Sequence, residues 1–250
     1  MNYLSTNLSR FTHMMPNIIY PGKELETFSV ATNWKSYWAS RLKDHMGHMI
    51  LEVGAGIGSN TQLLWKDDIR RWVCLEPDKH LLKQLSSSLA KHDRTSDCEL
   101  VNGTLKDLPQ NSLFDTILYI DVLEHIEDDK AEINLAVRHL TAQGKLIILS
   151  PAHNRLFSKF DEAIGHYRRY NKRMLKELMP NNYKSVTLEY LDSVGLFISF
   201  GNSMFLKSKI PSKKQIKIWD SLIIPLSRLF DKTVHFRFGK SILAVLQCRT

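Results

Sequence analysis

Cysteine is scarce in this sequence, and long apolar runs are absent from it. The 250 residues include three cysteines, Cys74, Cys98 and Cys248, without any C-x-x-C spacing. An odd number without that spacing argues against a disulfide framework and a zinc knuckle, and it is typical of a reducing compartment. No run approaches about 18 apolar residues, so no segment is predicted to span a membrane. The first residues lack the basic-then-apolar pattern of a signal peptide, and we therefore expect a cytoplasmic protein.

Acidic residues are scarce in the last fifth of the chain. The formal net charge of the whole chain is +8. Residues 201–250 contain ten Lys and Arg residues but only two acids, Asp220 and Asp231, so residues 1–200 are net neutral. This imbalance indicates an anionic partner at that end of the chain. An ordinary solvated surface is the alternative.

Short apolar runs alternate with helical patterns from residue 48 onward. Strands that alternate with helices imply βαβ units and a mostly parallel sheet. The apolar spacing of residues 122–140 predicts a long helix after the fourth strand. We expect one domain over residues 1–250, with a helical lead-in or lid at 1–46, a core at 48–199, a basic insert at 200–238 and a last strand at 239–250. The predicted strands are 48–54, 71–77, 98–103, 114–121, 144–151, 185–193 and 240–249.

A glycine-rich turn, LEVGAGIGSN, closes the first predicted strand and opens a helix. Glycines let the backbone turn tightly and approach a ligand closely. The dinucleotide fingerprint G-x-G-x-x-G would need glycine at Ser59, which argues against a nicotinamide enzyme. Glu76 ends the second strand, where a carboxylate can accept both hydroxyls of a ribose. The alternative is tight packing of helix on sheet without a ligand.

These motifs in this order resemble the class I S-adenosylmethionine-dependent methyltransferases. The resemblance covers residues 48–175 and the final strand, and it rests on LEVGAGIG, CLEPD, NGTLKDLP, FDTILYIDVLEHIEDD and GKLIILSP. It implies an α/β fold with a Rossmann-like, doubly wound sheet of seven strands. The last strand would be antiparallel and inserted next to the fifth. The implied reaction is transfer of a methyl group from S-adenosyl-L-methionine to a nucleophile, for which we expect oxygen.

The resemblance also implies where the cofactor binds. Glu52 and the glycines would face its methionine part, Glu76 its ribose, and Pro77 and Asp78 its adenine. Thr104 stands where the family often has an acid at the adenine edge. In similar methyltransferases the N-terminal helix covers the cofactor, so Tyr37 or Trp34 is expected to touch a ligand, although both also suit a core. The expected cofactor-binding residues are Glu52, Gly54, Gly56, Gly58, Glu76, Pro77, Thr104, Leu105 and Ile120.

The stretch DVLEHIEDD supports two interpretations. Its spacing places Asp121, Glu124 and His125 on one face of a starting helix. In the first interpretation Asp121 and Glu124 form a capping box. In the second they join His125 and His166 around a divalent cation. Ubiquinone-type O-methyltransferases and metal-dependent RNA 2′-O-methyltransferases resemble this stretch, with Glu in place of Asp121, but LEHI also occurs in enzymes that need no metal.

The segment after the fifth strand, which ends in GHYRRY, is predicted to emerge at the ligand side of the sheet. A hydroxyl nucleophile must lose a proton as it attacks, and histidine is the usual base near neutral pH. His166 is the first candidate and His125 the second. His153, Arg168 and Arg169 are candidates for substrate contact, since paired arginines can hold a phosphate or carboxylate. Alternatively, the arginines are the solvated start of the next helix.

The basic insert is predicted to lie beside the ligand crevice. It contains closely spaced lysines and a broken apolar stripe, so it either covers the substrate or binds anionic lipid. Exposed aromatics do not alternate with its charges, which disfavours nucleic acid. The resemblance of residues 161–170 to enzymes of sugar, polyketide and lipid-linked glycan modification suggests a small-molecule, sugar or lipid-linked acceptor. The alternatives are a metal-assisted RNA methyltransferase and a non-catalytic cofactor-binding partner protein.

Overall fold

The computed structural model describes residues 23–91, 98–201 and 211–249. Seven strands form one sheet in the order β3-β2-β1-β4-β5-β7-β6. The first five strands are parallel, and β7 runs antiparallel to both of its neighbours. The predicted topology is therefore confirmed. The strands are β1 Met49–Val53, β2 Arg71–Leu75, β3 Cys98–Val101, β4 Phe114–Ile120, β5 Leu140–Pro151, β6 Tyr183–Leu191 and β7 Ser241–Cys248.

Helices cover both faces of the sheet. Successive residues of each strand point to opposite faces, so the strands supply two separate apolar cores. Helices α2, α3, α4, α9 and α10 pack on one face, and α5 and α7 pack on the other. The helices are α1 Lys23–Phe28, α2 Thr32–Leu42, α3 Ser59–Leu64, α4 Lys79–Ala90, α5 Asp129–Ala136, α6 Lys159–Ala163, α7 Lys172–Leu178, α8 Ser193–Gly201, α9 Lys213–Ile218 and α10 Ile224–Thr233.

The helix predicted over residues 122–140 is shorter than its apolar spacing indicates. It begins at Asp129, and Asp128 caps it by accepting a hydrogen bond from the backbone N–H of Ala131. Before it, Leu123–His125 form a single 3₁₀ turn. Asp121 has a φ of 54° and accepts no capping bond. The interpretation of Asp121 and Glu124 as a capping box was therefore wrong, which leaves both carboxyls free to face the site.

The insert between β6 and β7 is helical, as predicted. Helices α9 and α10 are joined through a π-helical segment, Trp219–Ile223, into one continuous helix. Pro225 does not interrupt this helix, and it lies directly after the π-helical segment, near the start of α10. Lys207 and Lys209 lie outside the described residues. In the part of the chain that the structure describes, no helix has both the length and the apolar character to cross a membrane.

Two buried acids attach this continuous helix to the body of the protein. Asp220 accepts hydrogen bonds from the backbone N–H groups of Asn33 and Trp34 at the start of α2. Asp231 accepts one from the Tyr37 hydroxyl at 2.7 Å, and others from the backbone N–H groups of Asp192 and Ser193, where α8 begins. Because both acids point inward, all of the exposed charged side chains of this helix are basic.

Candidate active site

A cavity of about 420 Å³ lies at the carboxyl ends of β1, β2 and β4. This is the edge of a parallel sheet at which ligands bind. Helix α1 contributes Leu25 and Phe28 to its cover. Seven of the nine predicted cofactor residues line it or support its wall. Those that line it directly are Gly54, Gly56, Glu76, Pro77, Thr104 and Ile120.

The three glycines of the turn after β1 have different tasks. Each has a positive φ, which a residue with a side chain rarely adopts. A Cβ atom on Gly54 would lie 2.7 Å from Val122 Cγ2, so packing excludes a side chain there. Gly58 lies against Leu85 and supports the contact of helix with sheet. A Cβ atom on Gly56 would have nothing nearer than 3.7 Å, so its missing side chain leaves space for a ligand.

Glu76 shapes the turn as well as the cavity wall. Its carboxylate oxygens accept the backbone N–H groups of Gly56 and Asp78, each at 2.9 Å. Burial raises the pKa of Glu76, and these two hydrogen bonds oppose that rise. The carboxylate thus ties the glycine turn to the end of β2, at the position from which an acid can hold a ribose.

Besides Gly58, two predicted cofactor residues, Glu52 and Leu105, do not line the cavity. Glu52 is buried behind the turn, where one carboxylate oxygen accepts hydrogen bonds from Thr61 Oγ1 at 2.6 Å and Trp72 Nε1 at 3.0 Å. Burial raises its pKa to about 7. Leu105 packs into the apolar core. Glu52 does not reach the cavity because side chains of a strand point to the faces of the sheet. Its carboxyl is therefore directed to one face and not along the strand toward the ligand edge.

A second cavity, of about 260 Å³, adjoins the first. The two share Leu25, Phe28, Asp121 and His125 in their walls. Their common wall places His125 and Asp121 between two ligand spaces. We call the first the cofactor cavity and the second the acceptor cavity.

His166 lies in the wall of the acceptor cavity, held by a carboxylate. Its Nδ1 is 2.9 Å from Asp161 Oδ1, and its side chain is 5% exposed. Arg169 makes two parallel hydrogen bonds to the same carboxylate, at 2.8 and 2.9 Å. Ser158 adds another through the capping box of α6. Burial alone would raise the pKa of Asp161, but the bonds from His166 and Arg169 outweigh it and hold that pKa well below its ordinary value.

Glu124 and His125 complete this wall. Glu124 accepts a hydrogen bond from Ser150 Oγ at 2.8 Å. Its Oε1 is buried, has no hydrogen-bond partner among the described residues and lies 3.8 Å from His166 Nε2. Burial raises the pKa of Glu124 well above its ordinary value, which favours the protonated carboxyl. The rings of His125 and His166 meet edge to face at 4.5 Å. Burial and then His166 lower the pKa of His125 to about 4.

Three of the four predicted metal ligands lie together. One ligand atom each from Glu124, His125 and His166 falls within 4.8 Å of the other two. Asp121 is not part of that group, although it lines both cavities. It is exposed to these cavities but surrounded by protein, and this burial raises its pKa to about 7, against the opposing charge of Lys35. The donor set of two imidazoles and one carboxylate suits a divalent metal.

The predicted substrate residues separate into two groups. Arg169 lines the acceptor cavity. The other three contact protein instead. Arg168 donates to the carbonyls of residues 126 and 127 and pairs with Asp129, His153 bonds the Gly239 carbonyl and stacks on Tyr190, and Tyr37 bonds Asp231.

Sequence reasoning missed several residues that line the acceptor cavity or support its wall. Asp161 lies five positions before His166, and the D-E-x-x-G-H spacing was a visible signal for it. Trp219 and Lys240 lie much later in the sequence, between β6 and β7, and no local pattern connects them to the site. The aromatic rings of Phe28, Trp34, Phe160 and Trp219 form one connected wall, with centroids 5.7 to 6.4 Å apart.

This sheet order, with a glycine turn after β1 and an acid after β2, defines the fold class of the S-adenosylmethionine-dependent methyltransferases. Residues 51–148 match a family model described as a methyltransferase domain. Residues 51–148 therefore form a methyltransferase domain, and the sheet order is that of the class I S-adenosylmethionine-dependent methyltransferases. No curated protein matches the chain.

Many solved structures share this fold. An S-adenosylmethionine-dependent methyltransferase from Clostridium acetobutylicum is 11% identical, with 88% of this chain and 92% of that chain covered and a TM-score of 0.56. The [4+2]-cyclase SpnF is 11% identical over 92% and 95%, with a TM-score of 0.62. The plantazolicin methyltransferase BpumL, in complex with SAH, is 11% identical over 90% and 84%, with a TM-score of 0.51. At these identities the similarity shows the fold alone.

Proposed function

We propose that the protein transfers a methyl group from S-adenosylmethionine to a hydroxyl oxygen of a small-molecule, sugar or lipid-linked acceptor, with His166 as general base. The observation that carries this proposal is the contact of His166 Nδ1 with Asp161 at 2.9 Å, beside a cavity that adjoins the cofactor cavity. An ionised carboxylate can only accept a hydrogen bond, so Nδ1 carries the proton. Nε2 then keeps its lone pair for the proton of the acceptor.

The cofactor cavity fits S-adenosylmethionine in its chemistry. The open space over Gly56 admits a close ligand, Glu76 can accept ribose hydroxyls, and the apolar Pro77 and Ile120 suit an adenine face. When bound, this cofactor supplies a methyl group already activated by a sulfonium. The protein therefore needs to align the acceptor oxygen, exclude water and remove one proton.

The residues of the acceptor cavity divide these tasks. The hydroxyl oxygen would form its bond to the methyl carbon as the carbon–sulfur bond breaks and its electron pair stays on the sulfur. The proton of the hydroxyl would pass to His166 Nε2, and the ionised Asp161 would stabilise the resulting imidazolium. Arg169 keeps Asp161 ionised and fixed. His125, uncharged at neutral pH, offers a hydrogen-bonding group between the two cavities without adding a charge. The aromatic wall excludes water and contacts the body of the acceptor.

A second candidate uses a divalent cation at the same place. The cluster of Glu124, His125 and His166 supports it, because a cation there could polarise the acceptor hydroxyl. This candidate includes the metal-assisted methylation of RNA. The metal candidate and the histidine-base proposal differ in one measurable property, because only the metal candidate requires a divalent cation for activity.

Methyl transfer from labelled S-adenosylmethionine to a panel of phenols, sugars and lipid-linked glycans tests both candidates. We expect His166→Gln to lower kcat about 10²- to 10⁴-fold while the affinity for S-adenosylhomocysteine stays unchanged. His80→Gln, at an exposed histidine of α4, is the matched control. Wild-type turnover by the His166 variant would refute the base. Loss of activity in chelator, restored by Mg²⁺ or Mn²⁺, would replace it with the metal candidate.

We further propose peripheral contact with an anionic membrane through the outer face of the α9–α10 helix. Support comes from a continuous apolar stripe along that face, in which Leu222 and Leu229 are 61% and 65% exposed. The exposed charged side chains beside the stripe are all basic, and an apolar face flanked by cations is typical of helices that lie on anionic lipid. The stripe consists of Ile218, Leu222, Leu226, Leu229 and Phe230, and the cations are Lys213, Lys214, Lys217, Arg228 and Lys232.

A further inference from the structure

Lys240 is a partly buried lysine beside the acceptor cavity, and the proposed mechanism does not use it. It directly precedes β7, which starts at the edge of the sheet where β5 ends. It lines the acceptor cavity together with Arg169 and His166. Its backbone groups bond Asp192 and Ala152, but its amine makes no hydrogen bond or ion pair with any residue in the described ranges. The three N–H donors of this side chain therefore have no hydrogen-bond acceptor among the described residues, although the residue lines the cavity.

The acids nearest to Lys240 are already hydrogen-bonded to other groups. Asp192 accepts hydrogen bonds from Gly195 N, Ser227 Oγ and Trp219 Nε1. Asp161 is held by Arg169 and His166, as described above. Burial lowers the pKa of Lys240, while the charge of Asp192 opposes this and that of Arg169 adds to it. A cation placed in a cavity without a partner is costly, and an anionic ligand removes that cost.

The rest of the cavity indicates what kind of molecule carries the anion. Its wall includes the connected rings of Phe28, Trp34, Phe160 and Trp219, which suit a flat apolar body. The same wall includes His166 for the hydroxyl and Lys240 for a charge. The cavity therefore combines apolar rings, one base and one cation without a hydrogen-bond partner among the described residues. This combination suits an apolar molecule that carries a hydroxyl and an anionic group.

We propose that Lys240 is a specificity-determining residue that binds a carboxylate or phosphate group of the acceptor, and that the acceptor is an aromatic or otherwise apolar hydroxy compound with that anionic group. This rests on the proposed function only in taking the cavity as the acceptor site. A charge-assisted hydrogen bond from the amine would orient the acceptor with its hydroxyl toward His166. An uncharged isostere of the acceptor would leave the amine unpaired, and the site would therefore discriminate against it.

Binding of matched probes to the protein saturated with S-adenosylhomocysteine tests this. The probes are 4-hydroxyphenylacetate, its uncharged amide 4-hydroxyphenylacetamide, and phenyl phosphate. Quenching of tryptophan fluorescence reports binding, because Trp34 and Trp219 belong to the cavity wall. We expect the wild type to bind at least one of the two anions about tenfold or more tightly than the amide. Whichever anion is preferred identifies the group as carboxylate or phosphate.

The variants then assign this preference to one side chain. Lys240→Met should abolish it, Lys240→Arg should retain most of it, and Lys214→Met, at an exposed lysine of α9, should leave it unchanged. Equal binding of both anions and the amide by the wild type, or an undiminished preference in Lys240→Met, would overturn the proposal. The affinity for S-adenosylhomocysteine should be the same in all variants. If the wild type did not bind S-adenosylhomocysteine, or transferred no methyl group, that result would count against the proposed function instead.

Discussion

Asp161 shows how much of the site depends on one side chain. It fixes His166, pairs with Arg169 and closes the capping box of α6, all with two oxygens. Arginine in such a bidentate pair keeps the carboxylate charged inside the protein. Arg169, which the sequence suggested for substrate contact, therefore lines the cavity, but its guanidinium binds Asp161. In the proposed mechanism, Arg169 acts on the acceptor through Asp161 and His166.

Glu52 allows a prediction about stability and pH. Its folded pKa of about 7 lies above the ordinary value of 4.5, because burial disfavours the charge. The folded state is thus favoured by this group below pH 4.5, and that contribution is lost as the pH rises through about 7. We expect Glu52→Gln to gain on the order of 3 kcal/mol relative to the wild type between pH 4.5 and pH 8, measured by urea unfolding at both pH values.

The exposed Glu127→Gln variant serves as the control for this measurement, since it removes a carboxyl of the same kind from the surface. Its stability difference from the wild type should stay constant across the same pH range. A constant difference for Glu52→Gln as well would show that Glu52 ionises normally in the folded protein.

The α9–α10 helix joins two surfaces of different character. Its inner side contributes Gln215, Ile216 and Trp219 to the acceptor cavity, and its outer side carries the exposed apolar stripe. The π-helical segment lies between them and holds Asp220 toward α2. One element therefore connects the acceptor cavity with the surface that we propose for membrane contact.

The charge of this helix can be tested by replacing Lys213, Lys214 and Lys217 with Gln. Each lysine near an anionic surface contributes about 1 kcal/mol, and salt weakens the effect. We expect the wild type to co-sediment with phosphatidylglycerol vesicles at low salt more than with phosphatidylcholine vesicles. The triple variant should lose most of that binding and keep its melting temperature, because all three side chains are exposed.

A triple variant of α4, with Gln at Lys79, Lys83 and Lys91, removes the same charge from a different surface and should bind like the wild type. Equal loss in both variants would mean that net charge alone governs binding. Absence of binding by the wild type would remove the membrane proposal.

The protein as a whole brings its site together at one edge of one sheet. The cofactor cavity uses the ends of β1, β2 and β4, and the acceptor cavity uses the end of β5 and the start of β7. In a doubly wound sheet these ends converge although they lie far apart in the chain. Helix α1 and the α9–α10 helix then cover the cavities from opposite ends of the sequence.

Ligand binding should therefore stabilise the whole fold. At a concentration 100 times its Kd, S-adenosylmethionine or its demethylated product should add about 2.7 kcal/mol, or about 5–10 °C in Tm, while NAD should add nothing. In Gly56→Val the side chain fills the space left for the ligand, so the shift should vanish. Gly56→Ala, with a smaller side chain, should reduce it. An undiminished shift in the valine variant would show that the cofactor binds elsewhere.

Local patterns in the sequence determined the sheet, the glycine turn and the acid after β2, because strand periodicity and positive-φ glycines are properties of short segments. The same patterns identified His166 and the cluster of His125 and Glu124. They failed for the helix after β4. Apolar spacing over residues 122–140 predicted one helix, but Leu123–His125 form a separate turn and the helix begins at Asp129. They also gave Arg168 and Arg169 the same role, since the sequence shows a pair but not the direction of each side chain.

Only the tertiary structure decided which polar groups meet. Asp161 and His166 are close in the chain, but Lys240 comes to them through the antiparallel insertion of β7, and Trp219 through the long connection before it. Glu52 belongs to the glycine motif, yet the alternation of β1 turns it away from the cavity. Side-chain direction and long-range proximity depend on packing across the sheet, and no short segment of sequence contains that information.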